Sequence, residues 1–101
     1  MTATFNTDSE TAVIRVTGRF DFSRHREFKS CYEGALKEPG LSTINVDLEG
    51  VDYLDSSALG MLLLLKERAD ARALTVSLVN CRGIVKEILD VANFGTMFSL
   101  R

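Results

Sequence analysis

Hydrophobic and polar positions along the chain follow two periods, one of two residues and one of about 3.6, and the switches between them mark the elements. Phe5 lies in a short first strand, and Asp8-Ser9-Glu10 reads as a polar turn, because Asp and Ser close turns with their own side chains. From Ala12 to Thr17, the β-branched Val13, Ile14 and Val16 flank Arg15, which predicts a second strand that forms a hairpin with the first and ends at Gly18. The loop Gly18-Arg19-Phe20-Asp21-Phe22-Ser23 follows, with Ser23 placed to cap a helix. Phe28, Cys31, Tyr32, Ala35 and Leu36 then recur at helical spacing, opposite Glu27, Lys29, Ser30, Glu33 and Lys37. Gly34 lies inside this helix at a cost of about 1 kcal/mol against alanine. A close approach to the sheet would account for it. Pro39-Gly40 stops the helix.

Thr43 to Leu48 reads as the next strand, with Ile44, Val46 and Leu48 on one face and Asn45 and Asp47 on the other. A loop centred on Val51 to Gly60 leads into a helix over about Ser57 to Arg72. Its apolar positions form two stripes, Ala58-Leu62-Leu65-Ala69 and Leu59-Leu63-Lys66, and this width predicts deep burial ahead of a second contact partner. Leu74 to Val79 is a further strand, and Asn80 is placed to cap a third helix with the face Val85, Ile88, Leu89 and Ala92. Asn93 and Gly95 suit the left-handed backbone that ends a helix, and Thr96 to Leu100 is a short last strand. The order β-β-α-β-α-β-α-β predicts an α/β fold: a mixed sheet of four to five strands, its first strand antiparallel, with the helices packed on one face. The segment at Asp55-Ser56-Ser57 then falls at the carboxyl ends of the parallel strands, where open α/β sheets carry their sites.

Composition narrows the classes. Length 101 suits one compact domain, and 46% hydrophobic residues suffice for a core. A formal net charge of −2 and the absence of a basic block point away from nucleic acid and anionic membranes. Cys31 and Cys81 stand far apart without Cys-x-x-Cys spacing, which speaks against zinc and for free thiols in a reducing cytoplasm. Met1 to Phe5 has no basic start or long apolar run, so no signal peptide is expected there, and Met61 to Leu65 is too short to span a bilayer.

The candidate chemistry lies at the start of the Ser57 helix. Asp55, Ser56 and Ser57 are all good N-caps. Free N–H groups and the positive end of the helix dipole there also favour an anion, so a phosphate on a serine hydroxyl would be tolerated. Ordinary caps have the same composition, and the local pattern alone favours that plainer role. Catalysis is not indicated. Neither serine has Gly-x-Ser-x-Gly flanks, His25 is the sole histidine, and no Gly-x-x-x-x-Gly-Lys loop occurs. Asp21, Asp47, Asp52 and Asp55 fall near strand ends, where a magnesium cluster is conceivable, but they lack an Asp-x-Asp pair followed by a nucleophile. The chain is expected to be no enzyme and to need neither cofactor nor metal.

Gly18-Arg19-Phe20-Asp21 together with Tyr53-Leu54-Asp55-Ser56-Ser57-Ala58-Leu59-Gly60 resembles STAS domains, and among them the bacterial anti-sigma factor antagonists. The resemblance covers essentially the whole chain. It implies that Ser56 is phosphorylated by an anti-sigma factor that is also a serine kinase using ATP and magnesium. It implies too that the unphosphorylated form sequesters that partner and that a PP2C-type phosphatase resets the switch. Asp55 matches the aspartate that shapes the acceptor site and Asp21 the loop position beside it; Ser57, Ala58 and Leu59 complete the partner-binding loop. Ala58 stands where many members have glycine, and with Arg101 as the last residue the final helix common in the family is expected to be absent or very short. A monomer is the expected state. A STAS subunit of a lipid-transport ATPase, docking the same surface without phosphorylation, is the alternative.

Overall fold

The computed structural model describes residues 1–6 and 10–101, with residues 2–6 described by their backbone. The turn expected at Asp8 and Ser9 therefore lies outside the described residues. Strands β1 (Thr2–Asn6), β2 (Thr11–Phe20), β3 (Thr43–Leu54), β4 (Thr75–Val79) and β5 (Ser99–Leu100) form one sheet in the order β1-β2-β3-β4-β5. β1 pairs antiparallel with β2 and every later pair is parallel. Helices α1 (His25–Leu36), α2 (Ser56–Asp70) and α3 (Gly83–Val91) connect the parallel strands. Each crossover steps to the neighbouring strand in one direction, so right-handed connections put the helices on the same face.

That face is the core. Ala12, Ile14, Val16 and Phe20 point into it from β2, as do Ile44, Val46 and Leu48 from β3. Phe28, Tyr32, Ala35 and Leu36 meet them from α1, with the Phe20 and Phe28 ring centroids 5.1 Å apart. Cys31 is only partly buried, and Cys81 is buried; both are free thiols. The opposite face carries the buried Asp47 and Ser77 among polar residues.

Several sequence expectations shift. β2 does not end at Gly18 but runs on to Phe20, and β3 continues through the expected loop as far as Leu54. Its pairing with β2 slips between Arg15 and Thr17 and again between Gly18 and Arg19. Each slip places an extra residue in β3, a bulge that breaks the two-residue alternation by which a strand is recognised. The backbone adapts through Gly18 at φ +77° and through Gly50, where a Cβ would lie 2.8 Å from Thr17 Cγ2. Gly34 is exposed and a Cβ there would meet nothing within 4 Å, so close packing does not explain it. Asn80 does not cap α3. Its backbone is left-handed at φ 59°, and its side chain donates to Asp47 Oδ1 at 2.9 Å. Asn93 takes the expected left-handed form at φ 60°, but Gly95 does not, and a 3₁₀ turn over Phe94–Thr96 precedes the two-residue β5.

Candidate functional site

β2 and β3 end side by side, with Arg19 paired to Tyr53 and Phe20 to Leu54. The Asp55 N–H donates to the Phe20 carbonyl at 3.3 Å, which fixes the junction at the edge of the sheet. Asp55 is extended, φ −104° and ψ −177°, and its Oδ1 accepts the Ala58 N–H at 2.9 Å. That bond stops the strand and starts α2 one residue earlier than the sequence suggests, at Ser56. Ser56 is exposed, Ser57 half-buried, and Ala58 fully buried against the core. The first-turn N–H groups of Ser56 and Ser57 lie outside the helical ladder, as at any helix start.

Asp21 follows Phe20 as Asp55 follows Leu54, so the two carboxylates leave adjacent strand ends. Asp21, rather than Ser23, is the capping residue of the segment after β2. Its Oδ1 accepts from the Ser23 N–H and hydroxyl, ahead of a 3₁₀ turn over Phe22–Arg24. The Ser23 hydroxyl chiefly, then the Ser23 N–H and the Arg19 guanidinium, hold the Asp21 carboxyl below the usual carboxylate range against a desolvation effect that pushes it up. Arg19 Nε lies 3.3 Å from Asp21 Oδ2, and its Cζ lies 4.6 Å from the Tyr53 ring centroid.

Leu59, one helical turn beyond Ser56, is half-buried and lines an apolar groove of about 380 Å³ with Ile84, Glu87, Ile88, Val91 and Ala92. Ile84 is 49% and Val91 86% exposed. Phe22, 72% exposed, stacks on His25 beside the Asp21 turn. Arg19, Tyr53, Phe22, Ile84 and Val91 escaped sequence reasoning as surface features. Only the tertiary fold collects the residues of α2 and α3, though the Arg19 and Tyr53 motifs themselves were visible. Asp47 belongs elsewhere, paired with Arg15 and Asn80. Among the described residues no three of His, Cys, Asp and Glu gather as a metal-ligating group.

The family described as "Mlab, STAS domain" matches residues 3–100. The chain belongs to the STAS domain family. This STAS domain is 41% identical over 100 residues to a STAS-domain containing protein of Pseudomonas aeruginosa (strain UCBPP-PA14), a match spanning 99% of this chain and 97% of that one. It is 27% identical over 86 residues to the anti-sigma F factor antagonist of Lysinibacillus sphaericus, across 85% and 74% of the two chains. Its fold is that of the anti-sigma factor antagonist SpoIIAA. The unphosphorylated form superposes with a TM-score of 0.76 at 22% identity over 99% of this chain and 86% of that one. The phosphorylated Bacillus form superposes with a TM-score of 0.68 at 23% identity over 91% and 83%. No helix among the described residues of the STAS domain is long and apolar enough to cross a membrane.

Proposed function

We propose that this STAS domain is an anti-sigma factor antagonist whose binding is switched by phosphorylation of Ser56. Unphosphorylated, it holds an anti-sigma factor that is also a serine kinase and so frees that factor's client; phosphorylated, it lets go until a PP2C-type phosphatase restores the hydroxyl. The observation that carries this reading is the exposure of Ser56 as the first residue of α2, directly after the side-chain cap Asp55. An enzyme can reach that hydroxyl, and the helix start tolerates the charge placed on it. The partner's surface, fitted to a neutral hydroxyl, must instead accommodate nearly two negative charges. Asp21, Ser57, Ala58 and Leu59 complete the acceptor loop, and the groove that starts at Leu59 extends it along α3. The chain itself acts as a binding module and substrate, with no catalytic residue or cofactor of its own.

The test combines phosphosite mapping in cells with retention of partners on immobilised protein. Ser56→Ala keeps the partner, whereas Ser56→Asp weakens binding by about tenfold, as a charge set against a fitted interface does. Phosphate found only on Ser57, or on neither serine, while the partner pathway cycles would overturn the assignment. A second reading, a STAS subunit docked on a lipid-transport ATPase, draws on the apolar groove, which needs no phosphate to bind. It predicts a bound transporter component that Ser56→Asp does not release.

A further inference from the structure

We propose that Arg19 is the cation that receives a phosphate on Ser56, leaving Asp21 to do so. The inference rests on Ser56 as the acceptor and adds how the domain answers the modification. Arg19 and Tyr53 face each other across the paired ends of β2 and β3, and Ser56 follows Tyr53 by three residues. At most about 11 Å of chain separates their Cα atoms. The Tyr53 ring holds the guanidinium at this edge, 4.6 Å from its centroid, in a cation–π contact. The Nε of Arg19 touches Asp21 Oδ2 at 3.3 Å, with the side chain 64% exposed.

Two other arginines are already paired. Arg24 donates from Nη1 to the carbonyls of Thr17 and Arg19, binds Glu27 through Nε, and is 23% exposed. Arg82 pairs with Glu49. The carboxylates contributed here by β3 and the residue after it are Asp52 and Asp55, and by the residue after β2, Asp21. None carries the charge of a phosphate dianion, whose oxygens match the planar fork of arginine. When Arg19 turns to the phosphate, Asp21 keeps its Ser23 hydroxyl and N–H. The edge then changes twice: a dianion appears, and an arginine-covered carboxylate is uncovered. Both changes oppose an acidic or apolar partner surface.

The test installs phosphoserine at position 56 of the full chain by genetic code expansion, so that no kinase is needed. Titration followed by ³¹P NMR reads the second ionisation of the phosphate. Arg19→Gln raises it by about half a pH unit or more, because the charge that favours the dianion is gone, and Arg19→Lys restores part of the difference. In the unaltered chain, the Arg19 Nε–H resonance moves on going from serine to phosphoserine, a readout that needs no variant to fold. Coincident titrations of wild type and Arg19→Gln, or an Arg19 resonance that stays in place, would overturn the proposal. Cells in which Ser56 never carries phosphate would instead overturn the acceptor assignment and leave this titration unchanged.

Discussion

Three donors converge on Asp47: the Asn80 amide at 2.9 Å, the Glu49 N–H at 3.0 Å and Arg15 Nε at 3.2 Å. Burial would raise this carboxyl, yet the three bonds outweigh it and hold the group below its ordinary range. A carboxyl whose pKa is depressed by folding lends stability that is complete above its unfolded value of about 4 and is lost as pH falls through the folded one. Asp47→Asn is therefore expected to cost roughly 1–3 kcal/mol at pH 7, because an amide would turn its own donors toward three others. The deficit begins to shrink as pH falls below about 4, where the unfolded chain takes up the proton, and goes on shrinking toward the lower folded pKa at which native wild type loses its charge. Urea unfolding of both proteins at pH 7 and pH 3 measures this, and an equal deficit at the two pH values would sink it. Local pattern could not reveal the cluster. Asn80 looks like a helix cap by residue type, and what decides its role is a partner 33 positions away.

At the level of elements, the sequence was most legible where one period ran unbroken. The buried set of α1 and the inward positions of β3 up to Leu48 were visible as stripes, as was the order of strands and helices. The second half of β3 was not, because two bulges put neighbouring residues on the wrong phase for a strand. The connection between β3 and α2 consequently shrinks to the single residue Asp55. The two stripes of α2 overstated its burial. Ala58, Met61, Leu62, Leu65 and Ala69 go inside, while Leu63 and Leu64 remain 39% and 47% exposed. Gly34 is a different case: an exposed helical position with open space around it. Gly34→Ala is expected to stabilise the domain by about 0.5–1 kcal/mol, since alanine loses less backbone freedom in a helix. Thermal melting would show this as a rise of roughly 2–8 °C; a fall would mean that the glycine has a packing role after all.

On the scale of the whole molecule, a fold of this kind separates what keeps it folded from what it offers to others. The core lies between sheet and helices, whereas Ser56, Leu59, Ile84 and Val91 lie at one edge and its adjoining groove. Ile84→Glu is expected to change stability by less than about 0.5 kcal/mol, since the side chain is half exposed. The same change weakens capture of the partner by about tenfold, as loss of an apolar anchor does. Calorimetric titration of the partner retained by Ser56→Ala, beside a melt of the variant, separates the two effects. Gly50 joins these two roles. It is solvent-exposed, yet a Cβ there would lie 2.8 Å from Thr17 Cγ2 and 3.3 Å from Thr17 Cβ, so any side chain would force the paired strands to shift. Every residue that follows in β3, and through it the height at which Ser56 emerges, inherits its alignment from that narrow point. A screen for signalling-dead alleles should therefore recover Gly50 substitutions alongside those of the hydroxyl itself, as lesions that silence the output by displacing the strand that carries it.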